Sequence, residues 1–207
     1  MQKAESKVLE IFSDKRFPED VESALYFLIL ALHCSLLNKG KQYEEAISFF
    51  EQEKTKISKQ ETEPSPELSR LFAEITTSYF KLNEREHANN YLNKAIKADK
   101  HNTDAQWLYR EMNKNDDFSN AKHFRIMING RWPEPFEGES EIPWFFTTYE
   151  VVADDQTAAF DIIKCFEPVA LHESLKMKEV EIVKKSPKQP KGVYETSGYA
   201  FYTENAK

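Results

Sequence analysis

The residues of this chain that could carry acid–base or nucleophilic chemistry are scattered along the sequence. No two of the five histidines have the spacing of metal ligands, and Cys34 and Cys165 lie far apart. His172 and Glu173 are adjacent and could form an acid–base pair with the carboxylates of residues 134–141. An acidic protein offers many such pairs, however, so the sequence predicts no catalytic residue.

Sequence motifs for nucleotides, metals and catalytic serines are missing as well. The chain has only five glycines, and none forms a phosphate-binding Gly-x-Gly-x-x-Gly or Gly-x-x-x-x-Gly-Lys pattern. His-Glu-x-x-His, Cys-x-x-Cys and Gly-x-Ser-x-Gly do not occur. We therefore expect no cofactor, no bound metal and a non-enzymatic function, with an enzyme of unknown class in the second half as an alternative.

The strongest candidate for binding is the acidic loop, residues 131–143, which reads RWPEPFEGESEIP. Its three prolines stiffen the chain, so less entropy is lost when the loop is ordered against a partner. Tryptophan and arginine are the residues that most often dominate the energetics of interfaces. The predicted partner-binding residues of the loop are Trp132, Glu134, Phe136, Glu137, Glu139 and Glu141. The alternative is a solvated connection whose aromatic side chains fold back onto a sheet.

The charge distribution favours a protein partner with a basic face. The formal net charge is -7, which argues against nucleic-acid binding because that function needs a basic surface. Residues 116–163 hold ten Asp or Glu against three Lys or Arg, whereas residues 164–193 hold seven Lys against four Glu. An acidic region of this kind steers a basic protein toward it.

The pattern of the N-terminal half predicts helices that pack in pairs. The predicted helices are 3–13, 19–38, 43–57, 66–82 and 84–99, with a sixth beginning near Thr103. Within residues 71–102, apolar and small residues recur at helical spacing on both sides of a turn at Asn83 and Glu84. The residues that carry this pattern are Phe72, Ile75, Tyr79, Ala88, Leu92 and Ala95.

This pattern resembles the tetratricopeptide repeat, a helical hairpin of about 34 residues. The resemblance implies a binding scaffold in which the first helix of each hairpin lines a concave groove. Carried over to this chain, the groove-facing residues are Arg70, Thr77, Phe80 and Lys81, together with Ala73. Ala73 and Thr77 do not match the Lys and Asn with which some family members hold a peptide carboxylate. An adaptor or regulator that binds a peptide in this groove is the second functional hypothesis.

In the C-terminal half the period changes from that of a helix to that of a strand. Phe124, Ile126 and Ile128 alternate with polar neighbours in a strand that ends at Asn129 and Gly130. A strand over 144–152, a helix capped by Asp154 or Asp155, and strands over 175–183 and 192–202 follow. The third strand slips phase at Glu179, which predicts a bulge. The expected fold class is α + (α+β): a tetratricopeptide-like helical domain over 1–115, then a small β-β-α-β-β domain over 116–207 on a mixed or antiparallel sheet.

The sequence also predicts where the protein works. The longest apolar run, residues 24–37, is too short for a membrane span and suits a buried core helix. The charged N-terminal residues do not form a signal peptide, and two distant cysteines fit a reducing compartment. We expect a cytoplasmic protein–protein interaction module without a membrane or nucleic-acid partner. A sharper hypothesis is a bacterial immunity or antitoxin-type protein that inhibits a basic enzyme.

Overall fold

The computed structural model describes residues 23–60, 63–114, 120–184 and 188–203. The predicted helix 3–13, the start of the predicted helix 19–38 and the predicted domain boundary after residue 115 lie outside these residues. The chain divides into two compact units, Met1–Leu108 and Tyr109–Lys207.

Unit 1 is entirely helical in its described part. Its helices are α1 (Ser23–Lys39), α2 (Tyr43–Gln60), α3 (Pro66–Lys81), α4 (Arg85–Ala98) and the first residues of α5 (Thr103–Met112). The centre of the unit is α3, which packs against α1, α2 and α4. These helices begin and end within a few residues of the predicted bounds, because the apolar period and the breaks between helices are both clear in the sequence.

The ends of α3 are fixed by local chemistry. The Ser65 Oγ accepts a hydrogen bond from the Leu68 N–H at 3.2 Å, and Pro66 follows in the first turn, where its missing N–H costs no helical bond. At the other end Asn83 takes a positive φ of 67°, a conformation that asparagine tolerates better than most residues. The chain then enters α4, so α3 and α4 are joined by a short turn.

The core of unit 1 contains an aromatic group that we call the helical cluster: Phe50, Phe72, Tyr79 and Tyr91. The rings of Tyr79 and Tyr91 are stacked with centroids 5.6 Å apart, and Phe50 meets the Tyr91 ring edge-on at 5.2 Å. Ala88 and Ala95 are fully buried, which lets α4 approach α3 closely. The buried Ser69 hydroxyl donates to the Ala95 carbonyl at 2.7 Å and ties the two helices together.

The described part of unit 2 contains the last residues of α5 and an antiparallel sheet with one helix of its own. Its strands are β1 (Lys122–Arg131), β2 (Trp144–Ala153), β3 (Lys176–Lys184), β4 (Gly192–Thr196) and β5 (Ala200–Tyr202), and its helix is α6 (Gln156–Phe166), followed by a 3-10 turn at Val169–Leu171. The strand order is β3-β1-β2-β4, and β5 also pairs with β2, so that β4 and β5 follow the same edge. The predicted fold class, a helical region followed by an α+β domain, is confirmed.

The phase slip predicted in the third strand is present as a bulge. Met127 pairs with Glu179 and Ile128 pairs with Met177, which leaves Lys178 as an extra residue in β3. A second bulge near the end of β3 leaves Val183 extra in the same way. Bulges of this kind twist an edge strand and disfavour its pairing with another chain.

One face of the sheet forms the core of unit 2, and we call it the inner face. Phe124 and Ile126 of β1 and Tyr149 and Val151 of β2 lie on it and are fully buried. The helix α6 packs against β2 and β4. Its first turn is capped by Asp155, whose carboxylate accepts from the Ala158 N–H at 2.8 Å.

Candidate functional site

The acidic loop has a defined conformation between its two strands. The strands end at the pair Arg131 and Trp144, and the Trp132 N–H donates to the Pro143 carbonyl at 2.9 Å, which closes the loop at its base. At its tip the Glu139 N–H donates to the Phe136 carbonyl at 2.9 Å, and Gly138 has a φ of +81°. A positive φ at the third position is the mark of a type II turn, which glycine allows without strain.

Trp132 folds back onto the inner face of the sheet. It is half-buried, and its ring meets those of Tyr199 at 5.4 Å and Phe201 at 5.2 Å. It also packs edge-on against the fully buried Phe145, at 6.0 Å. We call the group Trp132, Phe136, Phe145, Tyr199 and Phe201 the sheet cluster. Trp132 thus has the arrangement of the alternative given in the sequence prediction, in which aromatic side chains of the loop fold back onto a sheet.

Phe136 lies at the exposed end of the sheet cluster. Its ring is 4.9 Å from that of Phe201, and the two residues are 36% and 41% exposed. No sequence pattern indicated Phe201 as a site residue. Its position opposite Phe145 on β2 brings it to the loop, and that pairing depends on the strand order, which the sequence alone does not show.

The predicted glutamates of the loop, Glu134, Glu137, Glu139 and Glu141, are all exposed. Across the described ranges, no ion pair joins Glu134, Glu137 or Glu139 to a lysine or an arginine. Glu150 on β2 differs, because the Arg125 guanidinium donates to its carboxylate at 2.8 Å. Glu134, Glu137 and Glu139 therefore present negative charge that no lysine or arginine of the described residues neutralises, beside two exposed aromatic rings.

A buried carboxylate supports the sheet cluster from below. Glu167 is almost fully buried, and its two oxygens accept hydrogen bonds from the Tyr149 and Tyr199 hydroxyls, each at 2.5 Å. Burial raises the pKa of both tyrosines, and the negative charge of Glu167 raises it further. Both hydroxyls consequently stay protonated and keep donating, which holds the Tyr199 ring beneath Trp132. His172, considered above as an acid–base residue, places its Nε2 3.0 Å from the Glu167 carbonyl.

A second candidate site is a cavity of about 420 Å³ in unit 1, lined by α1, α3 and α5. It contains the predicted groove residues Arg70, Ala73 and Thr77, whereas Phe80 and Lys81 are not among its lining residues. Arg70 forms no hydrogen bond or ion pair with any residue in the described ranges. Leu32 and Trp107, both 44% exposed, also line the cavity, although no sequence pattern indicated them as site residues.

Phe80 and Lys81 form a local pair at the end of α3. The Lys81 Nζ lies 5.9 Å from the centroid of the Phe80 ring, at the outer limit of a cation–π contact. Phe80 is half-buried and Lys81 is exposed. The first helix of the predicted hairpin thus contributes its middle, and not its C-terminal end, to the cavity.

The described residues contain no group of three or more His, Cys, Asp or Glu side chains that could hold a metal ion. Cys34 is fully buried, and burial, together with the charge of Glu74, raises the pKa of its thiol to about 12. The thiol is therefore protonated at neutral pH and is a poor nucleophile. None of the helices in the described ranges combines the length and the apolar character that crossing a membrane requires.

Comparisons with protein-family models, with curated proteins and with solved structures found no match to this chain.

Proposed function

We propose that this protein is a non-enzymatic interaction module that binds a basic protein surface through the acidic loop. The observation that carries the proposal is the exposed pair Phe136 and Phe201, set beside Glu134, Glu137 and Glu139 of the loop, which are exposed and form no ion pair with a lysine or an arginine of the described residues. An aromatic centre surrounded by charge is the common anatomy of a protein interface.

The conformation of the loop supports the same proposal. The closing hydrogen bond of Trp132, the turn at Gly138 and the packing of Trp132 on the sheet hold the loop before any partner arrives. A preorganised loop loses less entropy on binding than a flexible one. The carboxylates then accelerate encounter with a basic surface, and the exposed rings slow dissociation.

A sharper form of the proposal is a cytoplasmic immunity or antitoxin-type inhibitor. In this form the loop enters the active site of a toxin that is rich in lysine and arginine. It predicts that the captured partner is an enzyme and that the purified protein inhibits it at a one-to-one ratio. A partner with full activity in the complex would refute this form while leaving the interaction module in place.

The experiment is an affinity pull-down from the native cell, followed by titration with the purified partner. Phe136→Ala should weaken binding about 30-fold, which corresponds to a hot-spot contribution of about 2 kcal/mol. The matched control is Val169→Ala, because Val169 is an apolar residue of the same unit that is 68% exposed and does not belong to the loop. Trp132→Ala is less informative, since Trp132 packs against Phe145 and its loss would disturb the loop itself.

A second variant tests the charges. Glu134→Gln/Glu137→Gln/Glu139→Gln should slow association and flatten its salt dependence. Glu44→Gln/Glu45→Gln in unit 1 serves as the control, because both residues are exposed and distant in sequence from the loop. A partner that binds all these variants as it binds the wild type would show that the loop is a structural connection.

The cavity of unit 1 supports a second candidate, an adaptor that binds a peptide along the helices. The resemblance of residues 71–102 to the tetratricopeptide repeat favours it, as does the exposed Trp107 at the wall of the cavity. In this case Arg70→Ala and Trp107→Ala should remove binding, while Phe136→Ala should leave it unchanged. The two candidates are thus separated by one set of variants.

A further inference from the structure

The two exposed rings of the sheet cluster, Phe136 and Phe201, have no cation of the described residues over them. Elsewhere in unit 2 a cation does cover an aromatic ring: the Cζ of Arg110 lies 4.3 Å from the centroid of the Tyr194 ring. In the ranges that the structure describes, no lysine or arginine stands at cation–π distance from the ring of Phe136 or Phe201. The exposed parts of these two rings are therefore open to a cation that another molecule supplies.

The arginine nearest to the acidic loop in sequence is engaged on the opposite face of the sheet. Arg131 is the last residue of β1, and its Cζ lies 5.9 Å from the centroid of the Trp144 ring. Trp144 pairs with Arg131 and precedes Phe145, which belongs to the sheet cluster. Because successive side chains of a strand point to opposite faces, Arg131 and Trp144 lie on the face away from the cluster. The guanidinium of Arg131 thus lies near a ring outside the sheet cluster.

The turn at the tip of the acidic loop brings two glutamates close to Phe136. Glu137 follows Phe136 directly, and the Glu139 N–H donates to the Phe136 carbonyl at 2.9 Å, which keeps the Cα atoms of residues 136 and 139 within about 7 Å. Both glutamates are exposed, and neither forms an ion pair with a lysine or an arginine of the described residues. An exposed ring and two carboxylates without such an ion pair therefore share one end of the loop.

This combination of groups fits a guanidinium better than it fits the other side chains that a protein can present. The face of an aromatic ring attracts a cation, and a planar guanidinium can stack on the ring while its N–H groups pair with carboxylates. The ammonium of lysine is a compact and strongly hydrated charge, so it gives up more hydration to lie on a ring. An aliphatic side chain would contact the rings and leave the carboxylates without a partner.

We propose that the basic partner contacts this site through an arginine, whose guanidinium lies on the rings of Phe136 and Phe201 and pairs with the carboxylates of Glu137 and Glu139. This inference rests on the proposed function and adds to it the residue type that the loop selects. A lysine-rich surface without arginine should therefore bind more weakly than a surface that offers one arginine at the centre of the contact.

The first test titrates the full chain with three short peptides and follows binding by NMR. The probes are acetyl-Gly-Ser-Arg-Ser-Gly-amide and the same peptide with lysine or with citrulline, the neutral counterpart of arginine, in place of its arginine. The arginine peptide should bind with a dissociation constant on the order of millimolar, and ring currents should shift its side-chain proton resonances. The lysine peptide should bind about 3-fold more weakly and the citrulline peptide about 10-fold more weakly. These comparisons use the wild-type chain, so they do not depend on the folding of a variant.

The second test removes the ring faces and keeps the apolar side chains. Phe136→Leu and Phe201→Leu should each weaken binding of the arginine peptide about 3-fold, because leucine offers no ring to the cation. Each variant should also reduce the preference for arginine over lysine. Phe160→Leu is the matched control, since Phe160 is a half-buried phenylalanine of α6 that does not belong to the sheet cluster, and it should bind as the wild type does.

The third test removes the carboxylates. Glu137→Gln/Glu139→Gln should weaken binding of the arginine peptide about 3-fold, whereas the uncharged citrulline peptide should bind as before. Glu44→Gln/Glu45→Gln, at two exposed glutamates of unit 1, serves as the control and should leave the affinity for the arginine peptide unchanged.

Four results would overturn the proposal. They are no shift of the arginine peptide at several times the expected dissociation constant, equal affinity for the arginine and lysine peptides, equal affinity for the arginine and citrulline peptides, and unchanged binding in both leucine variants. If a partner from the pull-down still depends on Phe136 and the loop glutamates, any of these results rejects the arginine contact alone. A partner that binds Phe136→Ala and the glutamine variants as it binds the wild type rejects the proposed function as well.

Discussion

The two aromatic clusters of this protein are built from similar ring contacts, but they differ in how exposed their outermost rings are. In the helical cluster every ring is buried, and the most exposed member, Tyr79, reaches only 7%. In the sheet cluster burial runs from Phe145, which is fully enclosed, to Phe136 and Phe201, which stand partly in water. Ring contacts alone therefore do not distinguish a closed core from a cluster that is open to water at one end.

The two clusters also differ in what surrounds their outermost rings. The helical cluster lies between α2, α3 and α4, so each ring stabilises helix packing. The sheet cluster ends at a loop whose glutamates are exposed. We infer that its inner rings hold the loop and that its outer rings are available to a partner. The predictions below test this division.

The largest effect is expected from removing a ring of the closed cluster. Phe72→Ala should lower the free energy of unfolding by about 3–5 kcal/mol, because Phe72 is 2% exposed and its loss leaves a cavity. Chemical denaturation monitored by circular dichroism measures this change in the free energy of unfolding. Phe136→Ala is the counterpart in the open cluster and should change the same quantity by less than about 1 kcal/mol. Equal losses would remove the distinction between the two clusters.

A clash at the inner end of the sheet cluster should have the next largest effect. A Cβ at Gly130 would lie 2.5 Å from Cζ and 2.7 Å from Cε1 of the Phe145 ring. Gly130→Ala should therefore destabilise the protein by about 1–3 kcal/mol, as overpacking of a core does. Gly198→Ala is the control, since a Cβ there meets no atom within 4 Å. If Gly130→Ala is as stable as the control, the Phe145 ring must be able to move aside. A ring that moves aside cannot hold the loop in position, so this result would contradict the role inferred for Phe145.

A substitution can also test whether Glu167 holds the sheet cluster through its hydrogen bonds with Tyr149 and Tyr199. Glu167→Gln replaces one accepting oxygen by an amide, so one of the two tyrosine hydroxyls loses its acceptor in a buried site. We expect a loss of about 1–3 kcal/mol, against almost none for the exposed Glu173→Gln. Thermal unfolding of the two variants side by side measures the difference. A neutral Glu167→Gln would show that Tyr199 is held by its ring contacts alone.

The smallest effect is a pH dependence that belongs to unit 1. Burial lowers the pKa of His33 below its ordinary value near 6.5, so the unfolded chain binds this proton more readily than the folded chain does. Above about pH 6.5, where the histidine is neutral in both states, His33 does not lower the free energy of unfolding. As the pH falls from about 6.5 toward the lowered pKa of His33, the free energy of unfolding decreases. His33→Gln should flatten this part of the curve of unfolding midpoint against pH. A curve that keeps its slope in the variant would place the titrating group elsewhere.

Local patterns in the sequence predicted the fold class and most element bounds. The change from a helical period to a strand period is a property of neighbouring residues, and so is the cap at Asp155. The bulge in β3 could be predicted for the same reason, since the phase slip at Glu179 is itself local.

The candidate site depends on contacts that are distant along the chain. Trp132 folds back because Tyr199 and Phe201 lie beside it, and only the strand order brings those residues there. The exposure of Leu25 and Leu32 on α1 could not be predicted for a different reason. When every side of a helix is apolar, periodicity does not indicate which side faces the core.

The loop's base lies at a fixed point of the sheet, where Arg131 pairs with Trp144. The two ends of the segment between them therefore stay adjacent whatever length or composition that segment has. If the loop binds a partner as proposed, insertions or substitutions at its tip change the target while the strands keep their positions. Selection could then alter specificity through this one segment and leave the sheet unchanged.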